Sequence, residues 1–182
     1  MKVLPTPIAG VLVVEPRVFG DHRGFFLESW NRQAMQDAGI PADFVQDNHS
    51  RSVRGTLRGM HFQLQHPQGK LVRVARGAVY DVVVDVRRGS PTFGHWFGTE
   101  LSDTNYRMLW APPGMAHGFL AISDTVDFVY KCTDYYHPEH ERVLQWSDPD
   151  VAIEWPTPAG KAPKLSARDA LGASLSTLEC FP

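Results

Sequence analysis

Leu57-Arg58-Gly59-Met60-His61-Phe62-Gln63, Lys70-Leu71-Val72-Arg73-Val74-Ala75-Arg76 and Ala78-Val79-Tyr80-Asp81-Val82-Val83-Val84-Asp85-Val86 follow one another with only short turns between them. Each run is strand-length and rich in β-branched and aromatic residues, which pack well on a pleated surface. None is long enough to make an ordinary amphipathic helix. Three such runs in thirty residues set the expectation for the rest of the chain.

The same pattern extends in both directions. Upstream lie Val11 to Val14, Gly24 to Trp30 and Asp43 to His49. Downstream lie Gly94 to Leu101, Tyr106 to Trp110, Gly118 to Ile122 and Val126 to Thr133. The 15 Gly and 14 Pro residues punctuate these runs as turn signals. Many short strands at close spacing predict an all-β sandwich or barrel. Helix is expected at Asn31 to Ala38, where Asn31 caps the start and Gly39 ends it. A further helical turn is expected near Ala167 to Leu171. Pro156, Pro158 and Pro163 interrupt the stretch before it, so the tail from about residue 150 to 182 is expected to wrap the barrel.

The chain has 182 residues, which suits one domain with a real core. Its formal net charge is -2 with no block of like charge, which argues against a nucleic-acid or membrane-surface role. Any anion site must be a local arrangement of Arg and Lys. Cys132 and Cys180 form no C-x-x-C or zinc-like cluster and read as free thiols in a reducing compartment. The apolar run Ile8 to Val14 is followed by Glu15-Pro16, not by a small-residue cleavage site, and reads as a strand. With no stretch long enough to span a bilayer, the expectation is a cytoplasmic protein.

Several segments together resemble one family. They are Asp21-His22-Arg23-Gly24-Phe25-Phe26-Leu27-Glu28, Phe44-Val45-Gln46-Asp47-Asn48-His49-Ser50, Gly55-Thr56-Leu57-Arg58-Gly59-Met60-His61-Phe62-Gln63 and Gly69-Lys70-Leu71-Val72-Arg73. Asp81 to Asp85 leading into Arg87, Ser90-Pro91-Thr92-Phe93-Gly94, Pro112-Pro113-Gly114-Met115-Ala116-His117-Gly118-Phe119, Val129-Tyr130-Lys131, Tyr135-Tyr136 and Leu165-Ser166-Ala167-Arg168-Asp169 complete the set. In order and number they resemble the dTDP-4-dehydrorhamnose 3,5-epimerases, the third enzymes of dTDP-L-rhamnose synthesis. The resemblance runs from about Val11 to Asp169. It implies a cupin-like jelly-roll barrel with a few short helices, a homodimer, a dTDP-4-keto-6-deoxyhexose substrate, and no metal or other cofactor.

Moving a proton next to a ketone needs a base on one face, a stabiliser for the enolate oxygen and an acid on the other face. His61 is the expected base, since imidazole accepts a proton near neutral pH. A lone strand histidine is usually a satisfied barrel residue, and the surrounding motif reverses that reading. The resemblance implies that Asp169 orients His61, that Tyr130 is the acid and that Lys70 stabilises the oxyanion. The bland alternatives are a surface carboxylate, a packed strand tyrosine and a solvated lysine.

His117 lies in a Pro-x-Gly-x-x-His pattern shared with metal cupins. Gln63 stands where such a site would want its second histidine, and two histidines make a poor transition-metal site. His117 is therefore expected to contact substrate. Arg23 and Arg58 are candidates for the diphosphate, because guanidinium groups match phosphate oxygens. Strict alternation puts Arg58 and His61 on opposite faces, unless Gly59 marks a bulge. Glu28, Gln46, Asp47 and Asn48 match nucleotide-binding positions of the family, and Glu141 and Arg168 match further substrate positions. Arg168 stands where many relatives carry Lys. Arg142 replaces a small residue beside Glu141, which leaves the role of Glu141 open.

The function implied is 3,5-epimerisation of dTDP-4-dehydro-6-deoxy-D-glucose to dTDP-4-dehydro-L-rhamnose. Three alternatives stand beside it: a mono-epimerase of a related deoxysugar, a metal-dependent cupin enzyme and a non-catalytic sugar-nucleotide binding module.

Overall fold

A computed structural model of the chain describes residues 1–40, 43–157 and 160–182. Pro158, expected to break the tail, lies outside the described residues. Thirteen strands run in chain order: β1 Lys2–Pro5, β2 Leu12–Glu15, β3 Val18–Asp21, β4 Gly24–Leu27, β5 Gln46–Val53, β6 Leu57–Gln63 and β7 Lys70–Arg76. They continue as β8 Ala78–Asp85, β9 Trp96–Ser102, β10 Met108–Ala111, β11 Met115–Ala121, β12 Thr125–Cys132 and β13 Glu141–Val143. One sheet has the order β1-β2-β10-β7-β12-β5 and the other β13-β6-β11-β8-β9, while β3 and β4 form a separate hairpin. Every pairing between these strands is antiparallel, as in a jelly roll.

Alternation explains how the sheets face each other. On β7 and β12 the inward side chains include Val72, Val74 and Phe128. They meet Val79, Val83 and Phe119 from β8 and β11 in one buried cluster. The outward set of the five-stranded sheet, including Met60, Phe62, Val82 and Val84, is buried too. It lies under Trp155, Leu175, Leu178 and Phe181 of the tail. Short parallel bridges at Thr56–Lys164, Leu144–Ala173 and Arg87–Phe181 tie the tail down. The outer face of the six-stranded sheet is covered near Leu71, Met108 and Trp110 by Met35, Ile40 and Trp30.

Those covering residues come from and around α1, Arg32–Asp37, the one α-helix among the described residues. Asn31 accepts a hydrogen bond from the Ala34 amide at 3.1 Å, which satisfies one orphan donor of the first turn. Gly39 ends the helix in the left-handed region at φ 82°. The expected turn near the C-terminus is a 3-10 turn at Asp169–Leu171.

Three strands had no signal in the sequence. β1 is four residues and ends on Pro5, β3 is wholly exposed, and β13 is three residues long. Each is too short or too polar to show a period of two. The expected strand from Gly24 stops at Leu27, because Glu28 to Asn31 lead into the helix cap. The expected strand from Gly94 starts at Trp96, because Gly94 turns at φ 77°.

Candidate active site

A bulge in β6 organises the site. His61 pairs with His117, yet Arg58 pairs with Phe119. β6 therefore advances three residues where β11 advances two, and the extra residue restarts the alternation. His61 and Arg58 consequently line the same cavity, of about 210 Å³, between the two sheets. The bulge depends on two glycines in close approach. A Cβ built on Gly59 would lie 2.5 Å from the Gly118 Cα, and one on Gly118 would lie 2.7 Å from the Arg58 carbonyl oxygen. Arg58 is held there by donating from Nε to the Ser52 hydroxyl at 3.0 Å.

Nε2 of His61 lies 2.6 Å from Oδ1 of Asp169. The carboxylate is itself fixed, since Ser166 donates its hydroxyl to Oδ2 at 2.7 Å and accepts from the Asp169 amide at 3.1 Å. Burial pushes the Asp169 carboxyl up, but the hydrogen bonds from His61 and Ser166 outweigh it and leave the group below its ordinary value. An ionised carboxylate on Nε2–H fixes the tautomer and leaves Nδ1 as the free base.

The opposing wall comes from the six-stranded sheet. Tyr130 of β12 lines the cavity, and burial raises its phenol further above its ordinary value, so it stays a donor at neutral pH. Lys70 sits directly opposite Cys132 in the β7–β12 ladder. Its Nζ lies 3.5 Å from the His61 carbonyl oxygen. Burial lowers the Lys70 ammonium from its usual value, against the pull of Cys132, Glu141 and Asp81.

His117 also lines the cavity. Its Nε2 lies 3.0 Å from both oxygens of Asp81, a fully buried carboxyl on β8. Burial pushes Asp81 up, and the neighbouring His117 and Lys70 counter it. Asp81 is thus a second carboxylate behind a second cavity histidine. It stood at the head of the family-like segment Asp81 to Asp85 but was given no role from sequence.

At the rim, Arg168 donates to Oε2 of Glu141 at 2.7 Å and to the Tyr136 hydroxyl at 3.1 Å. Arg142 faces the other way and donates to Glu179 of the tail at 2.6 Å. The departure at Arg142 therefore leaves Glu141 free to pair with Arg168. Gln63 is buried and has a tying role. It donates to the carbonyls of His66 and Tyr135 and accepts from the His137 amide.

The nucleotide-position residues divide. Gln46 and Asn48 alternate inward on β5, where Gln46 donates to Asn48 at 3.1 Å and Asn48 reaches the Cys132 thiol. Asp47 points to the other face and accepts from Lys131 at 2.7 Å. Arg23 is exposed at the turn of the β3–β4 hairpin, paired with Asp21 at 2.6 Å. Glu28 accepts from Asn31 at the helix entrance. Neither Arg23 nor Glu28 lines the cavity in a single copy of the chain. Ser166, Cys132, Phe128 and Tyr136 were given no role from sequence. Of these, only Ser166 and Tyr136 lay within recognisable motifs.

Comparisons with known proteins agree with this architecture. The family model described as dTDP-4-dehydrorhamnose 3,5-epimerase matches residues 5–177. The chain is 53% identical over 183 aligned positions to a dTDP-4-dehydrorhamnose 3,5-epimerase of Pseudomonas aeruginosa, covering 100% of both chains. A 3,5-epimerase from Legionella pneumophila solved with dTDP-4-keto-L-rhamnose superimposes with TM-score 0.94 at 49% identity, covering 98% of this chain and 94% of that one. A 3′-monoepimerase from Streptomyces bikiniensis, solved with dTDP-quinovose, is more distant at TM-score 0.88 and 36% identity, covering 95% and 87%. A jelly-roll cavity with a carboxylate-paired histidine on one wall, together with these matches along the whole chain, makes the protein a member of the dTDP-4-dehydrorhamnose 3,5-epimerase family of isomerases.

Proposed function

We propose that the protein inverts C3 and C5 of dTDP-4-dehydro-6-deoxy-D-glucose to give dTDP-4-dehydro-L-rhamnose. One observation carries the reading. His61 and Tyr130 arise from the two facing sheets and line one cavity. A base and an acid on opposite walls is what inversion through a planar enolate requires.

In this reading, Nδ1 of His61 takes the proton from carbon next to the ketone. The C–H electron pair moves into the ring, and the C4 oxygen becomes an enolate oxygen. The Lys70 ammonium stabilises that charge in a site where burial strengthens the interaction. The Tyr130 hydroxyl then protonates carbon from the other face; solvent restores the phenol and takes the proton from the His61 imidazolium, which readies both groups for the second carbon. Asp169 steadies the imidazolium formed on His61. Arg58 and His117 contact the sugar diphosphate, with Glu141 and Arg168 at the rim. The chemistry uses side chains alone and takes no cofactor.

Gln46, Asp47 and Asn48 hold the nucleotide, and Arg23 and Glu28 join them from a second copy. Support for a homodimer is the β3–β4 hairpin, which exposes Phe19, Phe25 and Phe26 beside Arg23. Support for a cytoplasmic location is the pair of free thiols, Cys132 and Cys180.

The test is turnover in deuterated water with the 4-keto-6-deoxy substrate. Deuterium at both C3 and C5 in the L-rhamno product is expected. Label and inversion at C3 alone would make the protein a mono-epimerase and sink the double-inversion reading.

A further inference from the structure

A group of imidazoles outside the cavity has no part in this chemistry. His66 sits on the loop between β6 and β7, and His137 caps and His140 ends the 3-10 turn Pro138–His140 that follows β12. The His66 and His137 rings stack with centroids 4.4 Å apart, and His140 lies 5.7 Å from His66 and 6.0 Å from His137. Asp134 enters the same cluster, with Oδ2 3.6 Å from Nδ1 of His66. Ligand atoms of His66, Asp134 and His137 all lie within 4.8 Å of one another.

The cluster has the donor set of a borderline divalent ion. Neutral imidazole nitrogen suits zinc, copper and nickel, and a carboxylate oxygen completes a mixed site. The backbone is already ordered for binding. Buried Gln63 ties the His66 carbonyl and the His137 amide to β6, so both loops are fixed before any ion arrives. His66 holds φ 55°, an unusual value for a non-glycine residue, and so turns its ring toward the second loop.

We propose that His66, His137 and Asp134, with His140 next in line, form a zinc-class metal site that clips the β6–β7 loop to the loop after β12. The ion is structural. It lies outside the catalytic cavity and takes no part in proton transfer. Its effect is to hold the rim residues Tyr136 and Glu141, which follow on the same segment.

Zinc chloride is titrated calorimetrically into full-length protein stripped with EDTA, with cobalt(II) used in parallel as a spectroscopic probe. The parent protein is expected to bind zinc at one equivalent per chain, to gain thermal stability with zinc, and to give visible cobalt bands of a nitrogen-rich site. His66→Asn keeps a residue that tolerates positive φ, and His137→Gln keeps side-chain volume. Each is expected to weaken zinc by more than the about 10–100-fold that loss of an outer-shell partner costs. Both variants are expected to keep the parent's zinc-free melting temperature and its epimerase rate. Unsaturable heats in the parent, or zinc affinity unchanged in both variants, overturn the site.

Discussion

Asp169 holds His61 at 2.6 Å across 108 residues of chain. A histidine oriented from so far away depends on its partner for tautomer as well as position. His61→Ala is expected to lower kcat by about 10²–10⁴-fold, the usual contribution of a positioned base. Asp169→Asn is expected to cost less than His61→Ala while shifting the acidic limb of the pH–rate profile. Steady-state rates across pH check both. Full activity in His61→Ala would remove the base assignment.

A Tyr130 variant tests whether abstraction and inversion can be separated. Burial keeps its phenol protonated, so it is a ready donor at neutral pH. Tyr130→Phe is expected to retain wash-in of solvent deuterium next to the ketone while losing most net inversion. Mass spectrometry of recovered substrate and NMR of the product read the two events separately. Equal loss of exchange and inversion would argue that Tyr130 does not act after the enolate.

The facing glycines make a sharper structural prediction. Gly59→Ala adds a Cβ 2.5 Å from the Gly118 Cα at a backbone φ of 140°. All the atoms it meets are backbone atoms of His117 and Gly118, so the neighbouring strands β6 and β11 must part. A loss of about 1–3 kcal/mol is expected from overpacking, with more from the backbone. Activity should fall further than stability, because the bulge aims both Arg58 and His61. Urea unfolding alongside kcat/KM measures the two.

Asp85 governs acid stability at the far end of β8. It accepts from Arg87, Ser90 and Thr92, and although burial alone would raise it, these bonds hold its carboxyl at about 2. A pKa depressed in the folded state stabilises above the unfolded value. That contribution is full above about pH 4 and is lost as pH falls through about 2. Its size is on the order of 2 kcal/mol, from 1.36 kcal/mol per unit. Asp85→Asn is expected to lower the melting temperature at pH 7 and to lessen the difference between variant and parent at pH 2–3. A constant difference across pH would refute the assignment.

How much of this was legible in the sequence depended on distance along the chain. The successive runs from Leu57 to Val86 declared strands because each is short and rich in β-branched and aromatic residues. His61, Lys70 and Tyr130 stood in recognisable motifs, and all three line one cavity. The relation of Arg58 to His61 was undecidable, since a bulge is a property of two strands and β11 supplies the missing step. Asp81 went unassigned because nothing in its own run names His117 as its partner. Arg23 and Glu28 had motif support, yet one copy of the chain sets them apart from His61.

The order in which the chain is made gives the tail a further meaning. His61 leaves the ribosome 108 residues ahead of Asp169. By the time β13 is complete, every strand of both sheets has been synthesised. At that moment His61 has no carboxylate behind it. The segment that delivers Asp169 is the same one that seals Met60, Phe62 and Val84 from water. Competence for chemistry and dryness of the outer core therefore arrive together, in one late event.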